Sequence, residues 1–265
     1  MINMEKKLTD DLPVYLSPYL RKNYGIIFCF TTRNGGCSNG KFGSLNVNYY
    51  VGDSRVNVKK NRKIILKKLG LERIDQIYSV KQVHGNGILN IDENISLKSD
   101  SIPVEADCLI TDLKDTPIMV MGADCNLVLI ADINKKVVAA VHAGWKGTLN
   151  EIMTEAILYM KKRYKSETKN IIVDFGPSIR RCCYKVDRAV LEKFINKFGY
   201  GDFFLKKNND IFLDLVSINY MQLRRLGINE ENISDCGECT CCTNGFFSYR
   251  RDKVTGRQAG IAIIE

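Results

Sequence analysis

Between residues 106 and 143 the chain offers three apolar runs in succession, ADCLITD (106–112), PIMVMGADCNLVLIAD (117–132) and KVVAAVHA (136–143), with no helical pattern between them. Each run is rich in apolar and β-branched residues and is bounded by turn residues, the composition of strands. The middle run is too long for one strand and reads as two, with a turn near Asp124. Consecutive strands of this kind are not strict βαβ alternation, and they fit a mixed-sheet sandwich better than a Rossmann or barrel architecture. Further strand candidates occupy 25–33, 77–84, 170–176 and 259–264. The expectation is α+β: a single-domain α/β sandwich with a mixed sheet, extending over 1–265 because no Pro/Ser-rich linker, repeat or low-complexity tract divides the chain.

Helical periodicity appears at 54–69, 149–164, 187–198 and 214–226. In the first, Val58, Ile65 and Leu69 share a face and Gly70 supplies a stop. Thr148 and Glu151 form a capping-box pattern ahead of the second, whose stripe is Leu149, Ile152, Met153, Ala156, Ile157 and Met160. Asp187 and Asp214 are N-cap candidates for the third and fourth, and Gly227 closes the last.

No apolar run approaches the roughly 20 residues of a membrane span, and the N-terminus lacks the apolar centre of a signal peptide. A cytoplasmic protein with no membrane partner is expected. In that setting the ten cysteines should be reduced thiols. Cys236 and Cys239 form a C-x-x-C without the second ligand pair of a finger site, and the adjacent Cys182 and Cys183 are poorly placed to chelate as a pair. The net charge of +9 suits an anionic partner, but the lysines are scattered over helical faces and no nucleic-acid motif accompanies them, so no nucleic-acid partner is expected.

The chemistry concentrates in three short stretches. The chain has two histidines: His84 in KQVHGNG and His142 in VHAGWKG, each where a strand candidate meets a glycine-rich turn. Cys125 stands between them in GADCN. Two imidazoles and a thiolate are three of zinc's four customary ligands, and catalytic zinc sites leave the fourth position open. The alternative for each histidine is a buried hydrogen bond. Gly144 and Gly147 permit close approach of the backbone to a ligand, and a helix starting near Leu149 would aim its free amides at that turn as an anion cradle, to which Lys146 adds charge. Trp145 stacks on a planar substrate or packs beneath the turn. Asp107 and Asp124, each in an Ala-Asp-Cys triplet, are placed to orient a ligating imidazole or to cap a turn. If 246–252 is a strand, Arg250 and Arg251 face opposite sides and only one reaches the site.

TTRNGGCSNGKFGSLNVNYYVGD, KQVHG, EADCLITD, ADC, HAGWKG, GPSI-x-x-CCY-x-V and FFSYRRD-x-x-TGR, in this order, resemble the YfiH/YlmD-like family, whose members carry the labels multicopper polyphenol oxidase, laccase domain and purine nucleoside phosphorylase. The resemblance covers the chain from about Thr31 onward. It implies a YfiH-like sandwich, one zinc on His84, Cys125 and His142, and phosphorolysis of adenosine, inosine and S-methyl-5'-thioadenosine together with deamination of adenosine. Purine nucleoside and phosphate are then the partners, with Asn46, Gln82, Lys146 and Arg250 as substrate-binding side chains. Lys146 stands where arginine is common in the family, and lysine lacks arginine's two-pronged fork.

Two histidines cannot furnish the blue-copper site and three-copper cluster of a multicopper oxidase, so oxidation of that type is excluded. A single blue copper on the same three residues, with Met121 as axial ligand, is the copper alternative to zinc. Two other readings compete. One is a cysteine hydrolase or amidase editing peptidoglycan precursors with Cys125 as nucleophile. The other is a metal- or nucleic-acid-binding module without turnover. The sequence sets no oligomeric state.

Overall fold

A computed structural model describes residues 5–7, 13–95 and 101–265. Its centre is a pair of sheets packed face to face. The first is antiparallel throughout, in the order Glu5–Lys7, Val14–Leu16, Ile26–Thr31, Gln258–Ile264, Ile118–Gly122. The second runs Ile233–Asp235, Ile171–Phe175, Asn126–Asp132, Val137–Ala143, Cys108–Thr111, Ile88–Ile91, and is mixed because both edge strands join in parallel. The chain crosses from one sheet to the other at 123–125, where the long apolar run bends as expected and Asp124 takes a positive φ of 102°.

Period-two alternation explains how the central strands are buried on both sides. Leu127, Leu129 and Ala131 share the inter-sheet core with Phe28, Phe30, Val120, Val138, Ala140 and Ala262. Their neighbours Val128 and Ile130 turn outward against Met153, Ala156, Ile157 and Met160 of helix Ile152–Tyr164. The outer face of the first sheet, with Ile27, Cys29, Met119, Ile261 and Ile263, is covered by Ile65 and Leu66 of helix Arg55–Lys68. The result is helix, sheet, sheet, helix: the mixed α/β sandwich read from the sequence. No helix among the described residues is long and apolar enough to cross a membrane.

Several local expectations are corrected. The helix expected from Leu149 is two helices, Trp145–Leu149 and Ile152–Tyr164, because Glu151 adopts a left-handed conformation that breaks the ladder. The capping box does not form; Thr148 Oγ1 accepts instead from Asn219 Nδ2, 3.2 Å away. The segment after Ser248 is not a strand but a single helical turn, Tyr249–Asp252, capped by the Ser248 hydroxyl accepting from the Arg251 amide. The strand expected to reach His84 stops at Lys81. Asp187 precedes helix Arg188–Phe198 without a side-chain cap, whereas Asp214 does cap Leu215–Arg225 by accepting from the Ser217 amide at 3.1 Å.

Candidate metal centre

The two sheets leave one end of their shared core to be closed, and the three chemistry-bearing stretches meet there. His142 lies on strand Val137–Ala143 on the same face as Ala140 and Val138, so alternation aims it into the end of the sandwich. Its strand neighbour across the ladder is Leu127, which places the Cys125 turn beside it. His84 arrives from the 82–87 loop, whose position is fixed by Gln82: its amide donates to the Met121 carbonyl and accepts from the Met121 N–H, both at 2.8 Å. The ligand atoms of His84, Cys125 and His142 lie within 4.8 Å of one another, and the imidazole rings meet edge-on at 81°.

Asp107 is the organiser. Its carboxylate, fully buried, accepts backbone N–H groups from Val83 (3.2 Å), His84 (3.0 Å) and Gly85 (2.7 Å), and His142 Nδ1–H donates to it at 2.8 Å. Three consecutive amides can converge on one acceptor only if the chain curls, and His84 pays with a left-handed φ of 61°. Fixing the proton on Nδ1 leaves His142 Nε2 to face Cys125 and His84, the arrangement that orients metal-bound imidazoles. Asp107 therefore combines both roles open to it. Asp124 instead ties loops together: its carboxylate accepts from the Thr240 hydroxyl (2.7 Å) and the Arg250 amide (2.6 Å), and its carbonyl from the Ile179 N–H (2.8 Å).

The electrostatics favour a thiolate. Burial pushes the Cys125 thiol up, but the charge of His142 and hydrogen bonds from His142 and His84 outweigh it and bring the group down to about 6. For His142, burial opposes protonation, and the Cys125 thiolate with Asp107 overrides it, raising the group to about 9. A cation held by these groups meets the same field. Space is reserved as well: a Cβ on Gly144 would come to 3.0 Å from His84 Cδ2 and 3.2 Å from Cys125 Sγ. Donor set and space thus fit one soft or borderline divalent ion, and His84, exposed to solvent, marks the open side.

The remaining site residues are distributed as follows. Asn46, fully buried, hydrogen-bonds Asp53 and the Asn48 carbonyl through Nδ2 and accepts the Arg257 N–H at 2.9 Å. Lys146 is exposed, its ammonium 5.7 Å from the Trp145 ring centroid, and Trp145 itself packs against the cluster of helix Arg188–Phe198. The anion cradle expected at a long helix start is replaced by the five-residue turn Trp145–Leu149, whose dipole is correspondingly small. Arg250 reaches the carbonyls of Lys185 (2.9 Å) and Cys183 (3.3 Å) and stacks on Tyr184.

Two residues escaped the sequence reading. Arg257 is mostly buried and feels both Cys125 and Asp124; burial lowers its pKa against that attraction. Its Nη1 holds the Thr255 and Gly256 carbonyls, leaving the other arm of the fork unused among the described residues. Tyr184 is held protonated by burial and by the nearby Cys125 charge. Both lie inside quoted motifs, TGR and CCY, but nothing in their spacing from Cys125 connects them to it.

A sandwich of this topology closed by a His-Cys-His cluster defines a class to which known proteins compare. The chain belongs to the family described as multi-copper polyphenol oxidoreductase laccase, which it matches over residues 27–265. It is 32% identical over 241 residues to a purine nucleoside phosphorylase of Haemophilus influenzae, covering 89% of this chain and 93% of that one. It is 31% identical to purine nucleoside phosphorylase YfiH of Escherichia coli, covering 89% and 92%. The crystal structure of YlmD from Geobacillus stearothermophilus superposes with a TM-score of 0.90 at 26% identity, covering 99% of this chain and all of that one. These relatives support an enzyme that processes purine nucleosides. Two histidines do not fit the several coppers of the family's description.

Proposed function

We propose that this protein is a zinc-dependent purine nucleoside enzyme, cleaving adenosine, inosine and S-methyl-5'-thioadenosine with phosphate and deaminating adenosine to inosine. The observation that carries the reading is the convergence of the His84, Cys125 and His142 donor atoms around a space that Gly144 keeps clear. Three protein ligands with one open side are the pattern of a catalytic rather than a structural zinc site. A bound zinc ion supplies Lewis acidity to a group placed at that open side.

The chain's own residues supply the rest. Asp107 holds the His84 turn and the His142 tautomer. The free arm of Arg257, aided by Lys146, holds phosphate, and a guanidinium suits the paired oxygens of that anion. The protonated Tyr184 phenol donates a hydrogen bond to the substrate. In phosphorolysis a phosphate oxygen bonds the ribose C1′ as the C1′–N9 bond breaks; the purine leaves with the electron pair and takes the phosphate's proton. In deamination water adds at C6 of the purine and ammonia leaves.

A second reading rests on one specific feature: Cys125, His142 and Asp107 form a nucleophile, base and orienting carboxylate in sequence. That is the cysteine hydrolase. A thiolate bound to zinc is no free nucleophile, so the two readings exclude each other.

The test is to incubate the pure protein with adenosine with and without phosphate, and to measure zinc. Adenine formed only with phosphate, and inosine formed without it, are expected. Cys125→Ala and His142→Ala should lose zinc and both activities while remaining folded; Arg257→Lys should raise the KM for phosphate more than Lys146→Ala does. Full zinc occupancy and normal rates in Cys125→Ala would overturn the assignment, and a metal-free protein rapidly inactivated by thiol alkylation would favour the hydrolase.

A further inference from the structure

A second group of sulfurs lies behind the Cys125 turn. The chain turns at 180–183, with the Cys183 and Tyr184 amides both donating to the Arg180 carbonyl, and this curl aims two adjacent thiols the same way. The sequence places adjacent Cys182 and Cys183 poorly for chelating as a pair, but the turn brings both sulfurs beside those of Cys239 and Cys242. Opposite them, the pair that participates is not Cys236 and Cys239 but Cys239 and Cys242, themselves a C-x-x-C. Cys182 Sγ lies 3.5 Å from both Cys239 Sγ and Cys242 Sγ, and Cys183 Sγ lies 3.2 Å from Cys242 Sγ. All four sulfurs lie within 4.8 Å of one another.

Magnitudes decide between two uses of such a cluster. A disulfide needs sulfurs about 2.05 Å apart, so each pair would have to close by more than 1 Å, and nothing in disulfide chemistry requires the two pairs to adjoin. A zinc–sulfur bond of about 2.3 Å in a tetrahedron sets sulfurs about 3.8 Å apart, all four mutually close. The observed spacing is near the second pattern. The surroundings suit it too. Two guanidiniums brace the same loops: Arg180 binds the Glu238 carbonyl and Asp235, and Arg251 the carbonyls of Thr240, Cys241 and Thr243. Each guanidinium is itself paired with a carboxylate, Arg180 with Asp235 and Arg251 with Asp252, so they hold the loops in place by geometry.

We infer that Cys182, Cys183, Cys239 and Cys242 form a second, structural metal site that holds one zinc ion by four thiolates. Its position gives it a purpose. The loops it joins are 60 residues apart in the chain and supply the Ile179 amide, the Thr240 hydroxyl and the Arg250 amide that anchor Asp124, next to Cys125. The ion pins these loops and thereby fixes the Cys125 turn.

The full chain, purified anaerobically with reductant and zinc and freed of loosely bound metal, is compared with Cys182→Ser/Cys242→Ser and with Cys125→Ala. Zinc content should fall by one equivalent per chain in the double variant. In Cys125→Ala, cobalt added in place of zinc should show intense thiolate charge-transfer absorption that is lost when Cys182→Ser and Cys242→Ser are added to the same variant. In the unmodified chain, peptide mapping after N-ethylmaleimide should find these four thiols protected until a strong chelator is added. Zinc content unchanged by the double substitution, equal alkylation with and without zinc, or the four sulfurs recovered as disulfides from anaerobic protein would each overturn the proposal. Should the double variant fail to fold, the alkylation map of the unmodified chain decides alone.

Discussion

Asp107 carries more of the site than either histidine alone, because one buried carboxylate sets both the imidazole orientation of His142 and the backbone curl at His84. Asp107→Asn keeps the size but places an amide N–H₂ where at least one N–H donor now points. The expected outcome is a loss of about 10- to 100-fold in metal affinity or turnover, with a drop in stability of about 1–3 kcal/mol from the unsatisfied donors. Metal titration and thermal melting of the same preparation check it; undiminished affinity would remove Asp107 from its orienting role. At this scale the sequence was informative about chemistry. His84, Cys125 and His142 are uncommon residue types in glycine-bearing turns, and the donors zinc prefers are few. It was silent about Arg257 and Tyr184, since arginine and tyrosine serve many surface and core purposes and only proximity to Cys125 singles them out.

Elements follow their burial patterns closely where two faces are covered. Helix Ile152–Tyr164 presents Ile152, Met153, Ala156, Ile157 and Met160 to the second sheet, the stripe its periodicity announces except for Leu149, which lies on the preceding turn and packs with the Leu191 and Phe194 cluster. Ile157→Ala removes a fully buried side chain from this layer and should cost about 2–5 kcal/mol. Urea denaturation measures it, and zinc content of the folded fraction should not change, since the helix contributes no ligand. Element ends were harder to read. Thr148 and Glu151 have the spacing of a capping box, but Gln222 and Asn219 of the neighbouring helix bind the Thr148 carbonyl and hydroxyl, and Glu151 turns left-handed and pairs with Lys197. Tertiary partners outbid a local motif worth about 1 kcal/mol. The Tyr249–Asp252 turn likewise owes its form to Ser248 and to Asp124, 126 residues away from Arg250.

Across the whole molecule, the stability should carry a signature from Asp174. It sits fully buried on strand Ile171–Phe175, where the Ser234 hydroxyl donates to one oxygen and the other lacks a partner. Burial raises its pKa to about 7, against the opposing hydrogen bond from Ser234. The folded state thus keeps the proton that the unfolded chain releases near pH 4. Its contribution is complete below that pH, declines as pH rises, and is fully lost above about 7, a change of roughly 4 kcal/mol at most. Asp174→Asn cannot titrate, so the stability difference between variant and parent should grow in the variant's favour from pH 4 to 7 and then level off. A difference independent of pH would show that Asp174 is ionised in the folded protein.

The sequence by itself determined the layers and singled out the candidate donor set. Strand runs too closely spaced for βαβ units, helices with one apolar stripe, and a His-Cys-His set in glycine turns are local facts, written in residue type and spacing. Tertiary structure decided which distant groups share a volume: Asp107 with His142, Arg257 with Cys125, Cys182 and Cys183 with Cys239 and Cys242. These pairings depend on where the chain crosses between sheets and how its loops close over the end of the core. Period and propensity act over a few residues, whereas such meetings are set by the packing of the whole fold.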